Sequence, residues 1–174
     1  MKSNKVRLSK ILSHCGICSR REAEKYIKEG YLKVNGKIFT DYSIESNQIN
    51  KISIFDKVIN KKKTRIWIFN KPISYVSSNK EQGNQRSLFR LFPKDLPRLV
   101  SVGRLDIMSE GLMILTNNPT LANFLENPKN KVARKYKVVV NGDLTKNLFI
   151  ETQKSFKISG EIFQKIKIQL TSSR

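Results

Sequence analysis

Apolar residues recur at helical spacing near the start of the chain. Val6, Leu8, Ile11 and Leu12 share one face over residues 6–13, with Arg7 and Lys10 outside it. The turn His14, Cys15, Gly16, Ile17, Cys18 ends that helix. A second is predicted from Ser19, where Ser19-Arg20-Arg21-Glu22 spells a capping box: hydroxyl to the backbone N–H at Glu22, carboxylate back to Ser19. Ala23, Tyr26 and Ile27 can then face inward, while Arg20, Arg21, Lys25 and Lys28 form a basic outer side. Gly30 is placed to end this helix. Strands are predicted on either side of the turn Asn35-Gly36, and a third over residues 51–55.

Residues 59–65 are polar, lysine-rich and without periodicity, which predicts a basic linker between a unit at 1–58 and a larger one at 66–174. The second unit opens with an apolar strand over 66–69 that runs into Asn70, Lys71 and Pro72. Residues 78–86 read as loop, and residues 88–92 as a short amphipathic helix ended by Pro93. A helix with proline in its first turn is predicted over 119–126, and another over 143–152. Alternation of apolar and polar residues predicts strands over 131–140 and 161–170.

Between these lies the most informative stretch, residues 101–117. A polar loop, Gly103, Arg104, Leu105 and Asp106, precedes Gly111 and the apolar run Leu112, Met113, Ile114 and Leu115, which reads as a buried strand. That arrangement is expected to hold one acid and one base beside a hydrophobic strand and away from bulk water. Ionising Asp106 there would be costly unless Arg104 supports it. Taken alone, Asp106 reads as a turn cap.

Charge changes the picture of the partner. The 174 residues include 34 Lys+Arg against 14 Asp+Glu, a formal charge of +20. Such an excess predicts a polyanion, since each neutralised phosphate releases counterions. A generally basic proteome is the competing reading. Against it, Arg20 and Arg21 sit together on one helix, and Lys61, Lys62 and Lys63 sit together in the linker. No apolar run approaches the roughly 20 residues that span a bilayer, and the N-terminus does not lead into a signal-peptide core. A cytoplasmic protein without membrane contact is expected. Cys15 and Cys18 flank a turn beside the only histidine, His14. With no second Cys or His pair to complete four ligands, they are expected to be reduced thiols, not a metal site.

Residues 102–117 closely resemble the active-site motif of pseudouridine synthases. That motif runs Gly-Arg-Leu-Asp, a short insert with Ser or Thr, Gly-Leu, an apolar strand and Thr-Asn. The resemblance makes Asp106 the essential catalytic residue, with Arg104 stabilising its carboxylate or holding RNA phosphate. It also makes Tyr136, in Arg134-Lys135-Tyr136-Lys137, the strand tyrosine that stacks on the extruded base. Taken alone, Tyr136 is an ordinary strand aromatic. The N-terminal segment, with Ser19-Arg20-Arg21-Glu22-Ala23 and Val34-Asn35-Gly36, resembles the alpha-L RNA-binding domain of a ribosomal small-subunit protein. In that family this surface grips structured RNA by shape, so Arg7, Lys10, Arg20, Arg21, Lys25, Lys28, Lys33 and Asn35 are the expected RNA contacts. The competing reading is a merely solvated basic face.

Together these resemblances imply an α+β protein: an alpha-L domain, a linker and a catalytic domain built on a mixed, antiparallel sheet with flanking helices. The expected reaction converts a specific uridine of ribosomal RNA, of the large subunit on the nearest branch, to pseudouridine. It breaks the C1′–N1 bond, turns the base and rejoins it through C5, and it needs no metal, nucleotide or redox cofactor. Family members continue with further strands and an arginine that partners the catalytic Asp. The chain is therefore expected to be truncated within its catalytic sheet, and an RNA-binding protein with an inactive synthase domain is the alternative function. A DNA-binding protein is a third reading, disfavoured by the lack of a helix-turn-helix or zinc pattern. Monomer is the default state.

Overall fold

The computed structural model describes residues 4–81, 83–141 and 154–169. They fall into two compact units, Met1–Ala133 and Arg134–Arg174. The first unit holds two hydrophobic cores in sequence, one on either side of the lysine-rich segment. The division at 58/66 read from composition thus separates two cores, whereas the compact units part at Ala133.

The N-terminal core is built from β1 (Lys5–Arg7), α1 (Leu8–His14), α2 (Arg20–Lys28), β2 (Leu32–Val34), β3 (Lys37–Ile38), β4 (Ser43–Glu45), β5 (Ile52–Ile54) and β6 (Lys57–Val58). β1 pairs with β4, and the other strands form an antiparallel sheet in the order β3-β2-β5-β6. Leu8, Leu12, Ala23, Ile27, Leu32 and Ile54 are almost wholly buried against one another, so both helices lay their apolar stripes on the sheet. The predicted capping box is made: the Ser19 hydroxyl accepts from the Glu22 amide, and the Glu22 carboxylate accepts from Ser19 N–H at 2.9 Å. Asn35 and Gly36, at φ +50° and +85°, form the predicted turn. The first helix starts later than its periodicity implies. Val6 is spent in β1, opposite Ile44, because a ladder partner satisfies its backbone there.

The second core belongs to β7 (Ile66–Lys71), β8 (Tyr75–Val76), β9 (Arg86–Ser87), β10 (Val100–Val102), β11 (Gly111–Thr116) and α3 (Pro119–Glu126). β10, β11 and β7 form an antiparallel sheet with β11 in the centre, while β8 and β9 pair in parallel. Period-two alternation puts Trp67, Phe69, Met113 and Leu115 on the face that packs against Leu88 and Leu99. Helix α3 is the one predicted, with proline in its first turn and the Asn118 side chain accepting from the Thr120 and Leu121 amides. Residues 88–91 form a 3₁₀ turn in place of the predicted α-helix; Pro93 leaves no room for a longer one.

The lysine-rich segment is tied at both ends. β6 takes Lys57 and Val58, and the Asn117 amide and Thr116 hydroxyl donate to the carbonyls of Lys63 and Arg65. The side chain of His14 also reaches α3, with Nε2 3.1 Å from Thr120 Oγ1. Burial first, and then Lys10, Arg20 and Lys61, push the His14 pKa down.

In the second unit, β12 (Phe156–Ile158) and β13 (Glu161–Phe163) form a hairpin over Ser159 and Gly160. The half-buried strand expected over 161–170 is corrected to this short piece, and every residue of β13 is exposed. Residues 131–140 form no strand and are exposed throughout. Alternation specifies a face, but a strand also needs a neighbour for its backbone, and no described residue supplies one there. The helix expected over 143–152 lies outside the described residues.

Candidate active site

The loop of residues 103–110 connects β10 to β11 and carries Arg104 and Asp106. Gly103 opens it at φ +79°, a conformation that favours glycine. Leu105 is half-buried and packs against the second core, so it anchors the loop by its apolar side chain. Asp106 and Arg104, on either side of it, are exposed. The expected seclusion from bulk water is therefore corrected. What packs inward is Leu105, and the Asp106 side chain lies at the surface.

The protein grips this loop by its backbone. The Glu126 carboxylate accepts from Gly103 N–H at 2.7 Å. The Ser77 hydroxyl accepts from Leu105 N–H at 3.1 Å and donates to Leu105 C=O at 2.8 Å. The Ser74 N–H donates to Ile107 C=O at 2.7 Å. Lys71 Nζ donates to the carbonyls of Asp106 at 3.1 Å, Ser109 at 2.8 Å and Pro72 at 3.1 Å.

Lys71 is the residue that sequence reasoning missed as a site component. It ends β7 on the face shared by Trp67 and Phe69, opposite Gly111 in the ladder, and is fully buried. Among the described residues no carboxylate lies within salt-bridge distance of it; its three acceptors are carbonyl dipoles. Burial pushes the Lys71 pKa down, and the negative charge of Asp106 pulls it partly back up. The ammonium thus fixes the loop and places a positive charge near the Asp106 carboxylate. Among the described residues no ion pair joins Arg104 to Asp106. Tyr136 lies in the second unit on irregular backbone, 64% exposed.

The expected RNA contacts all lie on the N-terminal core. Arg7 is exposed at the end of β1, Lys10 on α1, and Arg20, Arg21, Lys25 and Lys28 on α2. Lys25 pairs with Glu29 at 3.8 Å, and Lys33 binds the Asp56 carboxylate. The Asn35 side chain is engaged inside the protein: it accepts from the Asn50 and Lys51 amides and donates to Gln48 C=O. Cys15 and Cys18 are buried thiols, both with pKa pushed up by burial.

Comparison with known proteins places the chain in a family. The family model described as RNA pseudouridylate synthase matches residues 65–172, and that of the S4 domain matches residues 6–45. The chain belongs to the RNA pseudouridine synthase family. A protein of Rickettsia felis named an uncharacterized RNA pseudouridine synthase is 38% identical over 165 residues, covering 94% of this chain and 71% of that one. The ribosomal large subunit pseudouridine synthases B of Buchnera aphidicola and Bacillus subtilis are 37% and 30% identical, covering 81% and 87% of this chain and 59% and 62% of theirs. A crystal structure titled pseudouridylate synthase superposes with a TM-score of 0.60 over 96% of this chain and 73% of that one, at 22% identity, and so shares the fold. In this synthase the S4 domain is the expected alpha-L domain, and the held loop is the motif that pointed to the family. No helix among the described residues is long and apolar enough to cross a membrane.

Proposed function

We propose that this synthase converts a uridine of large-subunit ribosomal RNA to pseudouridine, with Asp106 as the catalytic group. The observation that carries the reading is the loop itself. Its backbone is bonded to Glu126, Ser77, Ser74 and Lys71, while the Asp106 side chain stays exposed. A carboxylate so placed is pre-positioned without being consumed by the fold, which is what attack on carbon or removal of a proton requires. The ribosomal substrate is supported by the names of the Buchnera and Bacillus relatives and by the S4 domain.

The reaction then proceeds on an extruded base, whose unstacking costs a few kcal/mol. The basic residues of β1, α1 and α2 offset that cost through phosphate contacts, with Arg7, Lys10, Arg20, Arg21 and Lys28 exposed to make them and Lys25, Lys33 and Asn35 already bonded within the domain. Arg104 holds phosphate beside Asp106, and Tyr136 stacks on the base.

The absence of any ion pair on Asp106 among the described residues favours a second reading, an RNA-binding protein with an inactive synthase domain. One assay separates the two. The C5 hydrogen must leave when the new bond forms, so ribosomal RNA tritiated at uridine C5 reports the reaction. The chain is expected to release tritium, and its Asp106→Asn variant to bind RNA equally but release none. Release by the variant would move the chemistry away from Asp106. Full RNA affinity with no release by either protein would establish the second reading.

A further inference from the structure

The S4 domain carries an aromatic cluster that neither its core nor the expected helix surface requires. Phe55 sits at the tip of the β5–β6 hairpin, with ring centroids 5.0 Å from both Tyr26 and Tyr31. Tyr26 closes the group edge-on to Tyr31 at 6.3 Å. Only Tyr26 is counted with the packed core, whereas Tyr31 and Phe55 are 47% and 48% exposed. The backbone beneath is unusual. Phe55 and Asp56 both adopt positive φ, +49° and +60°, the left-handed pair that such a turn ordinarily fills with Asn-Gly or Asp-Gly. A bulky side chain is out of place there. The turn is nevertheless held: Phe55 N–H donates to Tyr31 C=O at 3.3 Å, and Asp56 is taken by Lys33.

We propose that Phe55 and Tyr31 form a stacking platform for an unpaired base of the RNA, separate from the arginine-bearing start of α2. Three features select that occupant. Half-exposed rings offer a π-face that any base can use without sequence readout. The acids nearest the rings in the chain are paired, Asp56 with Lys33 and Glu29 with Lys25, and the exposed Lys28 and Lys57 lie close to the rings in the chain. The charge of +20 brings a polyanion to the surface in any orientation, so a contact that distinguishes unpaired from paired RNA adds what charge alone cannot supply. The proposal rests on the RNA-binding reading of this domain and deepens it: the substrate is a helix next to unpaired nucleotides.

The test uses the full chain and two RNAs, a blunt duplex and the same duplex with a short single-stranded adenosine overhang. Wild type is expected to prefer the overhang RNA. Phe55→Asn suits the positive φ while removing the ring, so the turn survives, as thermal unfolding will show. That variant is expected to lose about tenfold in affinity for the overhang RNA and under about twofold for the blunt duplex, with the same salt slope. Tyr31→Leu keeps an apolar side chain and is expected to lose affinity in the same pattern. Arg20→Ala/Arg21→Ala, in contrast, should weaken both RNAs and flatten the salt dependence by up to about two units of slope. Unchanged salt dependence and affinity there would remove α2 from the interface without touching the ring comparison. The platform is overturned if wild type shows no overhang preference, or if the folded Phe55→Asn protein keeps it or loses both RNAs equally.

Discussion

At the scale of single residues, the site depends on a buried lysine held by backbone carbonyls. A buried ammonium costs desolvation, and here three carbonyls offset that cost. Lys71→Met preserves most of the volume but leaves those carbonyls without their donor. A destabilisation of about 1–3 kcal/mol is expected from the unpaired groups. Beyond it, the amides of residues 103–109 should exchange faster with solvent, and tritium release should fall while RNA affinity holds. An unchanged exchange rate in that loop would show that Glu126 and Ser77 hold it without Lys71. Ser77 is the complementary case: one hydroxyl serves both the amide and the carbonyl of Leu105, so Ser77→Ala removes two bonds with one atom.

At the scale of elements, α2 presents the arginines and is held at its start by the Ser19–Glu22 box. Ser19→Ala is expected to cost about 1 kcal/mol. The Glu22 pKa lies below its ordinary value of 4.5, chiefly because the Ser19 backbone N–H and then the Ser19 hydroxyl donate to the ionised form. A carboxylate with a lowered folded-state pKa contributes stability in full above its unfolded value and loses it as pH falls through the folded one. The gap in melting temperature between wild type and Glu22→Gln should therefore be widest near neutrality and close below pH 4.5. A gap independent of pH would mean that the amide caps the helix equally well.

At the scale of the whole molecule, the three-stranded sheet of the synthase domain leaves part of one face open among the described residues. Trp67, Phe69, Met113 and Leu115 pack inward, while Ile66, Ile68 and Leu112 on the other face are 54%, 80% and 69% exposed. Among the described residues β7 is also an edge strand. An apolar face beside an open edge is an association hazard. Ile68→Thr keeps β-propensity and removes part of that surface. Its stability should stay within about 0.5 kcal/mol of wild type, and light scattering should show less concentration-dependent association. Equal scattering from both proteins would mean that this face is not what self-associates.

Local chemistry determined much of this protein from sequence alone. A capping box, an Asn-Gly turn, a proline-started helix and an apolar run behind glycine each act within a few residues, and each stands where the pattern places it. The loop with Asp106 was legible for the same reason, because its motif is contiguous. Tertiary structure decided what holds that loop, since Lys71, Ser77 and Glu126 reach it across 35, 28 and 23 positions. It also decided that Leu105, not Asp106, faces the core, which alternation in a short irregular loop cannot express. The strand expected at 131–140 marks the same boundary: its side-chain pattern is local, but a strand exists only where another backbone completes its hydrogen bonds, and no described residue does so there.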